Sequence, residues 1–390
     1  MLTTLLALSV LQTPAQLTKP LEAPFRATDD AMIVDVSVNG KNISCMFDTG
    51  FSGHFVLSDA IDVGKYTGTM SLRDFVGQFE AHTVDVKSIK LGQLTQVNVR
   101  GEAVMQPLEH MTRSYGTHTD GIMGFSVIKD YVTEINFEKQ KFIFHPRSTD
   151  ITKRTPDNKR TFLVKMEPRG ARSIQLATEV NGKPVHLALD TGNAFYATTH
   201  KEVLVRLGLW DVNKKPEYMT QSSVASGPVD SFSILMPKAK IFGVPVDSSV
   251  WDIIDLPSSA ADHDGTVGFG FLKNFNVVID YERRHVWLEN FTGKVADMPK
   301  AQPGMMVYQN DGAYQVYAVY KGSPAEAAGV KGGDRLLAVD GKSLSSVRPE
   351  DVGALIKGEP DSVCKLVLSR GGIIHRLDVT RKLMVNRPPG

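Results

Sequence analysis

Two carboxylates, each heading the same tripeptide, are the residues of this sequence whose type and spacing can do chemistry. Asp48-Thr49-Gly50 and Asp190-Thr191-Gly192 stand in segments that resemble each other. Each is followed, at nearly the same remove, by a second shared tag: Asp120-Gly121-Ile122-Met123-Gly124-Phe125 and Asp264-Gly265-Thr266-Val267-Gly268-Phe269. Two carboxyl groups held close cannot both ionise, so one proton is shared and the pair titrates in two separated steps. The ionised member can take a proton from a water that attacks a peptide carbonyl, while the protonated member donates to the carbonyl oxygen. Such hydrolysis needs neither a metal nor a covalent intermediate. A single Asp in a Gly-containing turn usually does no more than cap a loop. Two in matched surroundings point to a constructed site.

The elements that must position these carboxylates repeat as well. Val38-Asn39-Gly40-Lys41 matches Val180-Asn181-Gly182-Lys183, Met46-Phe47 matches Ala188-Leu189, and Ile135-Asn136-Phe137-Glu138 matches Ile279-Asp280-Tyr281-Glu282, in the same order. In each copy an alternating strand (33–38; 174–180) runs into the Asn-Gly dipeptide of a tight hairpin. A return strand (43–47; 185–189) then delivers the Asp at its end. Helix is sparse and is predicted over 201–207, where Val203, Leu204 and Leu207 share a face. The polar, Pro-interrupted stretch 147–160 reads as a connection between the copies. A similar stretch, 292–303, marks a second boundary and leaves about 85 residues for a third, separate domain.

With both motifs and both tags in register, residues 30–291 resemble the pepsin and retropepsin clan of aspartic proteases. The resemblance implies a mainly β chain of two pseudo-symmetric lobes, 30–147 and 160–291, each presenting its Asp at the lobe interface with the tag crossing behind it in a ψ-shaped loop. It implies Asp48 and Asp190 as the catalytic pair and Thr49 and Thr191 as hydrogen-bonded links across the interface. Gly50 and Gly192 let the backbone turn closely around the carboxylates. With both copies in one chain, a monomer completes its own site. Two departures stand out. Thr266 opens the second tag where an aliphatic residue is usual, and Phe51 and Asn193 follow the motifs in place of Ser, Thr or Ala. Asn193 can still donate a hydrogen bond to the outer carboxylate oxygen; Phe51 cannot, although Ser52 stands next to it. The clan covers its cleft with a Gly-tipped hairpin, for which Gly77 (within 75–79) and Gly227 (within 224–228) are the candidates.

The segment from Gly322 to Gly341, with Gly322-Ser323-Pro324-Ala325 and Gly332-Gly333-Asp334 within it, resembles the PDZ domain of bacterial secreted proteases. Ser323 can cap a short helix that Pro324 begins, Glu326 completes in a capping box and Gly329 ends. A second helix is predicted over 349–357, with Val352, Leu355 and Ile356 on one face, and a hairpin around Gly371-Gly372. The resemblance implies a small α+β domain over 303–385. Such a domain binds peptide C-termini or internal extended segments by adding them as a strand. The matching groove would be Gly304, Met305, Met306 and Val307 on one side and Val352 and Ile356 on the other. Met305 and Met306 read equally well as core residues.

Composition narrows the rest. Lys plus Arg (44) nearly balance Asp plus Glu (43), so no basic stripe argues for nucleic acid. Only two cysteines occur, Cys45 and Cys364, which excludes a disulfide-stapled scaffold and a Cys-rich metal centre. His110, His118 and His263 lack zinc-site spacing, and neither metal nor cofactor is expected. The apolar run 5–11 followed by Thr13-Pro14-Ala15 predicts a cleaved signal over 1–15 and a secreted or periplasmic protein. That run is too short to span a membrane, and no other segment is long and apolar enough. The expected function is an aspartic endopeptidase acting on polypeptide substrates. The alternative, motivated by Phe51 and Asn193, is a peptide-binding scaffold that keeps the fold with little hydrolysis.

Overall fold

The computed structural model of the chain describes residues 17–28, 30–73, 78–108, 119–168, 173–224, 227–255, 264–295, 298–310 and 312–388. The expected signal (1–15), Gly77, His110, His118 and His263 lie outside the described residues. The described chain is mainly β.

Each motif strand is the return arm of a hairpin. Met32–Val38 pairs antiparallel with Lys41–Asp48, and Gln175–Val180 with Lys183–Leu189. Asn39 and Gly40 (φ 51° and 86°) and Asn181 and Gly182 (φ 49° and 73°) are left-handed, as a two-residue turn matching the strand twist requires. The tags are threaded between strands. Gly121–Gly124 runs parallel to Lys41–Asp48 and antiparallel to Phe55–Ser58. Gly265–Val267 runs parallel to Lys183–Leu189 and antiparallel to Ala197–His200. The fit leaves no room for a side chain at the tag glycine: a Cβ on Gly121 would meet the Val56 carbonyl oxygen at 2.3 Å, and one on Gly265 that of Thr198 at 2.1 Å. The tag's leading Asp clasps the motif strand. Ser44 N–H donates to Asp120 Oδ2 and His186 N–H to Asp264 Oδ2, both at 2.8 Å.

One copy lies in an eight-stranded sheet and the other in a nine-stranded sheet. Beneath both runs a six-stranded sheet in the order Leu21–Pro24, Lys141–His145, Val132–Asn136, Phe275–Asp280, His285–Asn290, Thr161–Lys165. Its central pairing, Val132–Asn136 against Phe275–Asp280, joins the two copies. One large apolar cluster spans both motif-bearing segments and the joining sheet, with Phe47, Phe142, Leu189, Phe269 and Phe275 among its members. The two motif-bearing segments therefore share a core. Two strands precede residue 30: Leu21–Pro24 forms the edge of the joining sheet and Arg26–Ala27 pairs with Met32–Val38. A four-residue strand that buries only Leu21 and Ala23 is too short to register as a pattern. The connecting stretch 147–160 is anchored by Ile151, which is buried against Val132, Val278 and Trp287. Helix Lys201–Leu207 buries Val203, Leu204 and Leu207 and ends at left-handed Gly208.

The C-terminal sheet, Met305–Asn310, Ala313–Val319, Arg335–Val339, Val363–Arg370 and Ile373–Thr380, has its own core of Tyr314, Val316, Leu336, Leu366 and neighbours. Ser323 Oγ accepts from Glu326 N at 3.2 Å, and Glu326 Oε2 accepts from Gly322 N at 2.7 Å. Gly329 is left-handed, as are Gly371 and Gly372 of the late hairpin. This unit has its own core but does not stand apart. Met219 and Lys321 exchange two backbone hydrogen bonds, of 3.1 and 2.8 Å. Asn386, just beyond the expected domain end at 385, binds the second copy through backbone and side chain. Its N–H donates to Ser233 O and its carbonyl accepts from Leu235 N. Its Oδ1 accepts from Glu217 N (2.6 Å) and Tyr218 N (3.4 Å), and its Nδ2 donates to Tyr218 O and Ser233 O.

Candidate active site

Asp48 and Asp190, far apart in sequence, are hydrogen-bonded to each other. Each Oδ1 is cradled by its own motif turn. Gly50 N and Phe51 N donate to Asp48 at 2.7 and 3.1 Å; Gly192 N and Asn193 N donate to Asp190 at 2.9 and 3.2 Å. The threonines cross between the copies. Thr49 N donates to Thr191 Oγ1 (3.1 Å) and Thr191 N to Thr49 Oγ1 (3.0 Å), while Thr49 Oγ1 donates to Leu189 O and Thr191 Oγ1 to Phe47 O, both at 2.9 Å. All four bonds are buried, where an unmade partner is costly. The motif glycines serve close approach between the copies. A Cβ on Gly50 would lie 2.7 Å from Asp190 Cγ, and one on Gly192 would lie 2.4 Å from Asp48 Cγ. Asp48 and Gly50 reach solvent, whereas Asp190 is buried, so the pair opens to one side.

Burial pushes both carboxyls above the ordinary carboxylate range. Asp48 goes furthest, because repulsion from Asp190 and its hydrogen bond to Asp190 add to burial, with only the Gly50 and Phe51 N–H groups pulling it back. Asp190 is drawn back by hydrogen bonds from Asp48, Gly192 N–H, the Thr266 hydroxyl and Asn193 N–H. Two carboxyls in contact, both raised by burial, hold one proton between them and titrate as a pair.

The residues after the motifs behave differently from expectation. The Asn193 side chain does not reach the carboxylate: its Nδ2 donates to Thr198 Oγ1 (2.9 Å) and Thr266 Oγ1 (2.8 Å), and its Oδ1 accepts from Phe195 N (2.9 Å). The outer hydroxyl on Asp190 comes instead from Thr266, the residue that departs from the tag pattern. Its signal in the sequence is a paired change: Phe51 with Ile122 in one copy, Asn193 with Thr266 in the other. Phe51 is packed against an apolar cluster that includes Met46, Val56 and Ile122, and Ser52 accepts at its carbonyl from Ser126 Oγ.

The other described candidates belong to other elements. The arms of the first hairpin, Tyr66–Arg73 and Gln78–Leu91, pair up to Arg73 and Gln78, with Tyr66 stacked on His82 at 4.6 Å. Gly227 (φ 131°) opens the strand Gly227–Met236, which pairs with Thr220–Val224 and Ser249–Ile254. In the C-terminal unit Gly304 (φ 93°) lies against Ser323, its carbonyl accepting from Tyr320 N and Ser323 Oγ. Met305, Val352 and Ile356 are buried core residues, with Val307 packed against them. Met306 instead meets Thr220 of the second copy, whose hydroxyl points at its sulfur. Both cysteines are buried and unbridged. Among the described residues no cluster of His, Cys, Asp or Glu is arranged to hold a metal, and no helix is long and apolar enough to cross a membrane.

Comparison with known proteins adds the following. Residues 315–370 match the family model for the PDZ domain. The carboxy-terminal processing protease CtpA of Bacillus subtilis (strain 168) is 39% identical over 70 residues, which are 18% of this chain and only 15% of that protein. Among solved structures, the aspartic proteinase from Irpex lacteus is similar over 70% of this chain and 98% of its own, with a TM-score of 0.43 and 15% identity. The photosystem II D1 C-terminal processing protease is similar over 22% of this chain and 24% of its own, with a TM-score of 0.21 and 30% identity. The chain therefore ends in a PDZ domain, carried by a mainly β body in which two Asp-Thr-Gly turns meet.

Proposed function

We propose that this chain is an aspartic-type endopeptidase. The observation that carries the reading is the contact between Asp48 and Asp190, each held by its own turn and joined through the crossed threonines. A water between the carboxyls gives its proton to Asp190 as its oxygen attacks the scissile carbonyl carbon, and Asp48 passes its proton to the carbonyl oxygen. The gem-diol then collapses and the C–N bond breaks, Asp190 giving the proton it gained to the amide nitrogen while Asp48 takes one back from a gem-diol hydroxyl. Polypeptides are the substrates, and the PDZ domain recruits a C-terminus or extended segment. The same reading takes the chain as a secreted or periplasmic monomer.

Digestion of denatured casein from pH 3 to 8, with and without pepstatin, tests it. Wild type should cleave, and Asp48→Asn or Asp190→Asn should each lose at least about a thousandfold in rate with an unchanged circular dichroism spectrum. Retained cleavage in either variant overturns the assignment. No turnover in wild type, together with saturable binding of peptides bearing free C-termini, would make the chain a peptide-binding scaffold.

A further inference from the structure

We infer that Thr266 and Asn193 are positioning residues that decide which carboxyl of the pair serves as base, by holding one hydroxyl hydrogen on Asp190 that Asp48 has no counterpart for. The inference rests on the endopeptidase reading for its catalytic meaning, though not for its geometry.

Most of what surrounds the pair is symmetric and cancels. Each carboxylate takes two N–H groups from its own turn, and each threonine hydroxyl donates to a carbonyl of the other copy. The asymmetry lies in the paired positions 51/122 and 193/266. The orientation of the Asn193 amide follows from its neighbours. One end faces the Phe195 N–H, a donor, so that end is Oδ1. The Nδ2 end then gives one hydrogen to Thr198 and one to Thr266. An amide NH2 accepts nothing. The Thr266 oxygen is an acceptor toward Asn193, and its own hydrogen must go elsewhere; the partner it has is the Asp190 carboxylate. Thr266 is buried on strand Gly265–Val267, so water does not compete for that hydrogen, and the neighbouring Val267 carbonyl holds Asp190 N at 3.0 Å. In the other copy Phe51 and Ile122 lie in one apolar cluster and offer no donor. A hydrogen bond to the charged form of a carboxyl lowers its pKa, so the copy carrying the polar couple supplies the base.

The test compares wild type, Thr266→Val, Thr266→Ser and Asn193→Ala in two measurements. The first is the pH profile of kcat/KM. Thr266→Val should move the acidic limb up by about one pH unit, Asn193→Ala should move it in the same direction, and Thr266→Ser should restore it. The second is direct titration of the Asp side-chain carboxyls by carbon-13 NMR, which needs no turnover. If the lower of the two coupled titration steps stays where it is in Thr266→Val, the inference is overturned whatever the activity. If that step rises but wild type cleaves nothing, the positioning role stands and the endopeptidase reading falls. Should Thr266→Val not fold, the titration of Asn193→Ala decides alone.

Discussion

The carboxylates leave no space for a methyl group at Gly50 or Gly192. Gly192→Ala should fold, because neither glycine needs a left-handed backbone, yet its Cβ would displace the Asp48 carboxyl. A shift of that kind costs about a hundredfold in rate, so kcat of the purified variant should fall by at least that much while its thermal midpoint moves little. The paired carboxyls themselves could be read from the tripeptides, because their immediate hydrogen-bond partners are the next residues along the chain. Thr266 could not be read the same way. Its effect depends on where the hydroxyl hydrogen points, and that is settled by Asn193, 73 positions earlier. The same hidden partner misdirected the expectation for Asn193, whose amide serves the threonines while its backbone serves the carboxylate.

At the level of elements, the hairpins were legible because Asn-Gly turns and alternating strands are local signals, and the tags because two copies could be laid on each other. Strand Leu21–Pro24 was not, since what defines it is its partner Lys141–His145. Beside the hairpin Thr220–Val224 with Gly227–Met236 lies a buried carboxyl that no motif marks. Asp252, on strand Ser249–Ile254, accepts from Ser222 Oγ at 2.9 Å and from Ser231, while its Oδ1 has no partner. Burial pushes it up to about 7. A carboxyl whose folded value lies above its unfolded one binds its proton more tightly in the fold. Its contribution is therefore complete below about pH 4 and is lost as the pH climbs through about 7. Stability measured by urea unfolding should fall over that window by on the order of a few kcal/mol. Asp252→Asn should remove that slope, and an unchanged slope would exclude Asp252 as its source.

Across the whole molecule, the two copies share one core and the PDZ domain has another. A third unit was legible from the boundary composition and its glycine-rich turns. Its attachment was not, because Asn386 is a lone polar residue in a Pro-containing tail with no local pattern. Asn386→Ala leaves Glu217 N–H and Tyr218 N–H without their acceptor and should weaken the attachment by about 2–3 kcal/mol. Calorimetry should then resolve an earlier PDZ transition, with the two copies still melting together at an unchanged midpoint. The joining sheet has a further consequence, in time. Val132–Asn136 cannot find Phe275–Asp280 until the later strand has left the ribosome, on the order of ten seconds after its own emergence. Asp190 emerges within that interval, so the nascent chain holds both carboxyls before the strand pairing that joins their copies can form. A translation product cut short between residues 192 and 275 would carry both motifs without the pairing that ties them into one sheet.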